Sequence, residues 1–379
     1  MATYNLRFQK ANRLVSLDFF RGITVATMIL VNNPGDWGHI YTPLEHAAWN
    51  GCTVADLVFP FFLFIMGVSM VYAMETSKAD PANHTKLMQK VLRRAAIIAF
   101  LSLFKSAYWF WDLSTLRIPG VLMRIALVYL FSGLLYIKTG FRIQALLVVL
   151  LLVGYYGLIT QVPVPGIGHA SLQPETNLGA WLDRTVFGTA HLWSLSKTWD
   201  PEGLLGTLPA IGTTLIGILT GTWLKQKDKS NLIKVFALLG VGVVLVAVGL
   251  IWNKSFPINK ALWTSSYVLF TGGLGILCLT LCYWLIDIQG YRWFTKPFMV
   301  YGMNAIVVYV ASELMARTLD QLTIDYQGED TSLGSALYHT FFEPYFSPYH
   351  ASLGWAIGFV LAWMLVLWVM YNRRIFIKI

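Results

Sequence analysis

Residues 44–67 read LEHAAWNGCTVADLVFPFFLFIMG. A polar loop carrying His46 runs directly into an apolar segment long enough to cross a bilayer. That segment holds a carboxylate, Asp56, close to its start. A plain anchor has no use for an ionisable group there. Charges inside bilayer spans are costly and mark functional sites by default. One short stretch therefore predicts both a membrane-spanning helix and chemistry at its mouth.

Composition extends the reading to the whole chain. Charged residues make up 12% of 379 and hydrophobic ones 56%, with a mean hydropathy of +0.59. Soluble domains carry about 25% charge. No low-complexity tract or linker divides the chain, so residues 1–379 are read as one all-α polytopic membrane domain. About ten spans of roughly 20 residues can be drawn, near 15–33, 53–74, 91–110, 118–137, 142–160, 204–224, 232–252, 262–286, 296–315 and 353–371. The third is interrupted by Lys105. The polar start MATYNLRFQKANR has no cleavable apolar core behind it, and the first span is expected to serve as the insertion signal.

Loop charges orient the bundle. With both termini in the cytoplasm, nineteen Lys and Arg fall on inner segments, among them Arg7, Lys10, Arg13, Lys227 and Lys378. Only seven fall outside: Lys105, Arg117, Arg184, Lys197, Lys254, Lys260 and Arg317. The net charge of +9 is thus a topology signal, and its scatter over short loops speaks against nucleic-acid binding. The loop bearing His46 has no Lys or Arg between Asn33 and Cys52 and faces outward. Two longer outer loops, near 161–203 and 316–352, carry Trp181, Trp193, Trp199, His191, His339 and His350. Loops of this length are commonly lids or binding surfaces, although interfacial anchoring also accounts for their Trp residues.

Each buried polar group has a functional and a bland reading. His46 can remove a proton from a nucleophile or attack an acyl group itself; a lone loop histidine is more often neither. Asn32 closes the first span, and Asn50 lies one turn from His46 if that stretch is helical. Either could orient the imidazole or hold a carbonyl oxygen, and either could simply cap a helix. Asp18 and Arg21 are three apart and fit a structural ion pair. Asp56 could pair with Arg124 in the fourth span, or complete a capping box begun by Thr53. Asn304 and Glu313 are expected to face the bundle interior. The three cysteines form no disulfide framework or zinc pattern. No metal site is expected, and no phosphate-binding glycine motif or serine elbow is present. From residues alone, a transporter and a membrane-embedded transferase stay equally open, although no internal repeat of the transporter kind is visible.

Six blocks narrow the choice: RLVSLDFFRGITVATMILVN, HAAWNGCTVADLVFPFFLFIMG, LRIPGVLMRIALVYL, DPEGLLGTLPAIGTTLIG, NKALWTSSYVLFTGG and KPFMVYGMNAIVVYV. In this order they resemble heparan-α-glucosaminide N-acetyltransferase and its bacterial relatives. The resemblance covers the transmembrane catalytic unit; the extra N-terminal span and luminal domain of the animal enzymes are expected to be missing. It implies acetyl transfer from cytoplasmic acetyl-CoA to the amine of glucosamine or a terminal glucosaminide across a bacterial inner membrane, with a homodimer among the expected assemblies. His46 then matches the catalytic histidine, with Asn32 (or Asn33) and Asn50 beside it. Arg124, Arg21, Asp18 and Asn304 are expected at the acetyl-CoA, and Asp56, Asp200, Glu202 and Trp263 at the sugar. Whether His46 is a general base or an acetyl carrier stays open. O-acylation of a surface polysaccharide is a further alternative.

Overall fold

A computed structural model describes residues 14–377. Arg7, Lys10, Arg13 and Lys378, used in the charge count, lie outside the described residues. The helices are α1 (Val15–Asn32), α2 (Val54–Lys78), α3 (His84–Ala107), α4 (Val121–Lys138), α5 (Phe141–Gln161), α6 (Leu178–Phe187), α7 (Thr207–Leu224), α8 (Asn231–Trp252), α9 (Ser265–Cys282), α10 (Lys296–Met303), α11 (Ala305–Gln321), α12 (Leu333–Phe341) and α13 (Pro348–Asn372). Six π-helical residues, Tyr283–Ile288, prolong α9. Among the described residues, eight helices are long and apolar enough to cross a membrane, and the bent pair α10–α11 makes a ninth if counted as one span. The protein is a helical polytopic membrane protein.

Burial runs opposite to apolarity in α7, α8 and α13, as a lipid solvent permits, while α2 is both apolar and central. In α7, which carries five threonines and three glycines, 78% of residues are buried. The most apolar stretches of α8 and α13 are only 22% and 17% buried. Lipid accepts Leu and Val at no cost, so the bundle interior can be given to small and polar residues that let backbones approach. Helices α2 and α7 show this best. A Cβ on Gly67 would stand 2.1 Å from the Thr214 carbonyl oxygen, and one on Gly217 would stand 2.1 Å from that of Phe64. Neither position has room for any side chain. Gly217→Leu is expected to cost about 1–3 kcal/mol of overpacking, read as a lower melting temperature in detergent. Unchanged melting would mean that the two helices do not touch there.

Three features depart from the expected layout. The ninth span is not continuous: α10 and α11 meet at 83°. Asn304 sits at the break, buried, and its amide holds the C-terminal segment. It accepts from the Ile377 N–H (3.0 Å) and donates to the Ile375 carbonyl (3.3 Å). Interrupted backbone is tolerated at membrane depth where protein supplies the missing partners. Second, the two long loops are partly structured, by α6 in one and by α12 with the antiparallel hairpin Thr323–Tyr326/Glu329–Ser332 in the other. Third, α3 falls short of the eight apolar helices yet joins the two ends of the bundle. Lys78 Nζ reaches the Thr139 carbonyl (2.8 Å), which brings the ends of α2 and α4 together. The start of α4 lies at the other end, where Arg124 Nη2 bonds the Gly203 carbonyl (2.8 Å). The chain between them must traverse the full depth.

Candidate active site

The loop before α2 is irregular from Glu45 to Thr53. Asn50 is therefore not one helical turn from His46, as a helical loop would have placed it. Its side-chain oxygen instead accepts from Asn259 Nδ2 (3.2 Å), and the Gly51 N–H donates to the Ile258 carbonyl (2.8 Å). Trp49 Nε1 donates to the Leu172 carbonyl (3.1 Å). The His46 loop is thus stitched to the 253–264 loop and to the long 162–206 loop. These bonds fix the height of His46 above α2.

Asp56 organises the site. It is 1% exposed and its carboxylate accepts from His46 Nδ1 (2.8 Å), the Ala47 N–H (3.1 Å) and the Thr53 N–H (3.0 Å). The capping box read from Thr53 is present, so the structural and the functional readings of Asp56 hold together. The helix N-terminus favours a negative charge there. A carboxylate only accepts, so Nδ1 carries the proton and the lone pair sits on Nε2. The imidazole is 46% exposed and opens to the loop side. Tyr267 Oη donates to the Asp56 backbone carbonyl (2.5 Å) and closes the site from below.

The expected partner of Asp56, Arg124, is elsewhere. Asp56 meets Lys260 instead, with Nζ 3.5 Å from Oδ1. The same Nζ lies 3.1 and 3.2 Å from the two ring nitrogens of His46. Burial pulls the Lys260 amine below the usual lysine range, against the opposing pull of Asp56 and then Glu202. Cys52, on the same loop, is pushed up to about 12 by burial and by the Asp56 charge. Both effects favour the thiol over the thiolate.

Arg124 is buried inside α4, with its guanidinium 5.1 Å over the Trp263 ring. Trp263 is itself fully buried. Its Nε1 donates to Thr213 Oγ1 (3.1 Å), and its backbone φ of +54 lies in the left-handed region. It supports Arg124 from beneath and faces no open space, contrary to the expected place at the sugar. Asp200 and Glu202 converge on one cation that the sequence reading counted only as a loop charge. Arg117 donates through Nε and Nη2 to Asp200 (2.8 and 2.7 Å) and through Nη2 to Glu202 (2.7 Å). Against the desolvation of burial, the charges of Arg117, Arg124 and Lys260 hold Glu202 below the usual carboxylate range. The same charges tie the DPEG loop electrostatically to Lys260 and so to His46.

Neither candidate asparagine touches His46. Asn33 turns back onto the Ile29 carbonyl (2.7 Å). Asn32 donates to Glu313 Oε1 on α11 (3.2 Å), and Glu313 also faces Lys105 Nζ at 3.4 Å. Tyr309, one turn before Glu313, lies within electrostatic reach of Glu202 and Arg117. The role of orienting the histidine, expected of an asparagine, belongs geometrically to Asp56.

The opposite end holds a second polar site. A cavity of about 570 Å³ is lined by Asp18, Arg21, Ser69, Arg94, Tyr129 and Asn304, among others. Arg21 bonds Asp18 Oδ1 (3.0 Å), Ser69 Oγ (2.7 Å) and the Gly302 carbonyl (3.3 Å). The Arg94 guanidinium stands 5.0 Å from the Tyr129 ring centroid. Asp18, Arg21 and Asn304 therefore line one cavity, and Arg124 is not with them. Along α2 the cavity wall runs from Met74 to Phe62, roughly 18 Å at 1.5 Å per residue. Phe62 is in turn only about 9 Å below Asp56 on the same helix.

Lys260, Arg117 and Arg94 carry only weak signals in the sequence, where each reads as a topology charge. The first two sit inside the quoted NKALW and LRIPG blocks, and that position was the one available hint.

Comparison with known proteins bears on this geometry. The family model described as heparan-alpha-glucosaminide N-acetyltransferase, catalytic, matches residues 13–249. The human heparan-alpha-glucosaminide N-acetyltransferase is 32% identical over 354 residues, covering 80% of this chain and 53% of its own length. The mouse protein of the same name is 31% identical over 363 residues, covering 82% and 54%. The chain spans about half the length of these curated relatives.

Proposed function

Because the chain belongs to the heparan-α-glucosaminide N-acetyltransferase family, we propose that it moves an acetyl group from acetyl-CoA, bound at one membrane face, to an amino sugar at the other. The observation that carries this reading is the pairing of His46 with buried Asp56 at the head of α2, above a cavity that climbs the same helix from the opposite end. In this reading residues 1–379 form one catalytic unit of ten spans, with α3 as the tenth. Both termini face the cytoplasm of a bacterial inner membrane. Arg21, Arg94 and Asn304 bind the donor at the cytoplasmic cavity. Phosphates suit the guanidinium groups, and the slender pantetheine arm suits the apolar wall along α2. Glu202, Asp200 and Glu313 supply the negative charge that draws a protonated amino sugar to the outer side.

His46 acts as general base. Asp56 fixes the tautomer with Nε2 unprotonated, the arrangement that lets an imidazole take a proton from an incoming amine. The acceptor is the amine of glucosamine or of a terminal glucosaminide.

Sealed vesicles test donor, acceptor and sidedness together. Acetyl-CoA supplied to the cytoplasmic face and glucosamine to the other should release free thiol and form N-acetylglucosamine, while acetyl-CoA on the outer face should not. Cysteine labels introduced by Trp37→Cys and Lys227→Cys should react from opposite sides. Thiol release with the donor outside, or labelling of both positions from one side, would end the transmembrane scheme.

A further inference from the structure

We propose that the Lys260 ammonium is a catalytic residue that receives the thioester oxyanion during acetyl transfer. This inference rests on the acetyltransferase reading above and deepens it.

The placement of Lys260 is one that packing alone does not explain. Lys260 comes from the loop between α8 and α9, yet its Nζ is nearly equidistant from the two ring nitrogens of His46, at 3.1 and 3.2 Å. It cannot be bonded to both. Nδ1 is already committed to Asp56 at 2.8 Å, and Asp56 Oδ1 stands 3.5 Å from the same ammonium, a long contact. With Nδ1 committed, the ammonium gives one N–H to the Nε2 lone pair at 3.2 Å and meets Asp56 only at long range. It keeps N–H bonds free for something in the space that His46 faces. The Lys260 side chain is 20% exposed, on the same open side as the imidazole. Its loop is also rigid. Asn259 Oδ1 accepts from the Leu262 N–H (2.8 Å), Thr264 Oγ1 bonds the Asn259 N–H (3.0 Å), and Asn259 Nδ2 holds Asn50. Lys260 is thus preorganised against the His46 loop from both sides.

Charge bookkeeping gives the placement its purpose. In the resting site, one carboxylate (Asp56) faces one ammonium (Lys260) and a neutral imidazole. When the acceptor amine, its ammonium proton already lost to solvent, attacks the thioester carbonyl carbon through its nitrogen lone pair, the C=O π pair moves onto oxygen. The amine proton passes to His46 Nε2. Two new charges appear at once, an imidazolium and an oxyanion. The imidazolium takes up Asp56 through the bond already formed at Nδ1. The ammonium is then released from Asp56 and pairs with the oxyanion. The intermediate collapses as the oxygen pair re-forms C=O. The C–S bond breaks with its electrons on sulfur, and the Nε2 proton moves to sulfur to give the free thiol. Protonation of Nε2 removes the acceptor that Lys260 holds in the ground state, so the ammonium turns to the oxyanion as its charge develops, which is the property that lowers a barrier.

Four groups face the Lys260 amine: His46 and Cys52 from the loop before α2, Asp56 from α2, and Glu202 from the loop before α7. Burial draws the amine below its usual range and the two carboxylates push back. Activity needs the ammonium and is lost as pH rises through that lowered value, so its alkaline limb should lie below the range of an exposed lysine.

The test compares wild type, Lys260→Met and Lys260→Arg, purified in detergent. Steady-state thiol release from acetyl-CoA with glucosamine is followed across pH, alongside melting and acetyl-CoA binding. Loss of one oxyanion donor should lower kcat by about 10²–10³-fold. Lys260→Met should do so with donor affinity and melting unchanged. Lys260→Arg should retain part of the rate and carry the alkaline limb to higher pH. If Lys260→Met does not fold, the pH profile of Lys260→Arg decides alone. A folded Lys260→Met with wild-type kcat, or a Lys260→Arg with an unmoved alkaline limb, overturns the proposal while leaving the acetyltransferase reading intact. A wild-type protein that releases no thiol removes both.

Discussion

His46→Ala is expected to lose acetyl transfer by about 10²–10⁴-fold, the usual cost of an essential general base, while folding and donor binding stay near wild type. The reason lies in how His46 is held. Its ring is half exposed and makes one short bond, to Asp56. Removing it leaves Asp56 with the Ala47 and Thr53 amides and with Lys260, so no buried charge is stranded and α2 keeps its cap. Stability should change little. Donor binding should also persist, because the cavity lined by Arg21, Ser69 and Arg94 lies at the other end of α2. The measurement is thiol release in detergent, with acetyl-CoA binding by calorimetry and a melting curve on the same sample. Wild-type turnover in folded His46→Ala protein would take His46 out of the mechanism.

Arg124→Ala is expected to have the opposite balance, with stability falling first and activity following. Arg124 is 1% exposed, bonded to the Gly203 carbonyl and stacked on Trp263. Its charge reaches Asp183, Asp200 and Glu202. Arg117 and, at longer range, Lys260 and Arg184 would then balance this acidic group. Asp183 has little of that help: burial first, and the neighbouring charge of Asp200, push its carboxyl up to about 6. Removing one side of a buried charge arrangement typically costs about 3–5 kcal/mol. The Gly203–Gly206 turn that starts α7 would lose its anchor, and with it the position of Glu202 near Lys260. Lys227→Ala, at an exposed position between α7 and α8, is the control and should behave as wild type. The comparison needs melting and thiol release on the same preparations. If Arg124→Ala melts and turns over like Lys227→Ala, the guanidinium has no structural or catalytic part.

Some of this protein is legible in its sequence because the bilayer imposes a strong local rule. A span must satisfy its backbone internally, so apolar runs of the right length read as helices without knowledge of neighbours. The expected spans and the observed helices coincide closely in α1, α5 and α8. Asp56 and His46 stood out for the same reason, as ionisable groups beside an apolar run. The Thr53–Asp56 capping box was readable because it is confined to one turn. The ion pair of Asp18 and Arg21 was readable because it is confined to spacing on one helix face.

What the sequence could not supply are partners drawn from distant segments. Asp56 was given Arg124, the nearest obvious intramembrane cation, but it meets His46 across ten residues and Lys260 across more than two hundred. Asn32 was given His46 and meets Glu313. At the helix break the Asn304 amide binds the C-terminal segment, a partner some seventy residues away that the run around Gly302 and Asn304 does not name. Local rules fix which segments become helices, since those bonds close within four residues. The choice of charge partner is fixed by which helix ends meet. That follows from close approaches such as Gly67 against Thr214, a property of two surfaces that no single stretch of chain encodes.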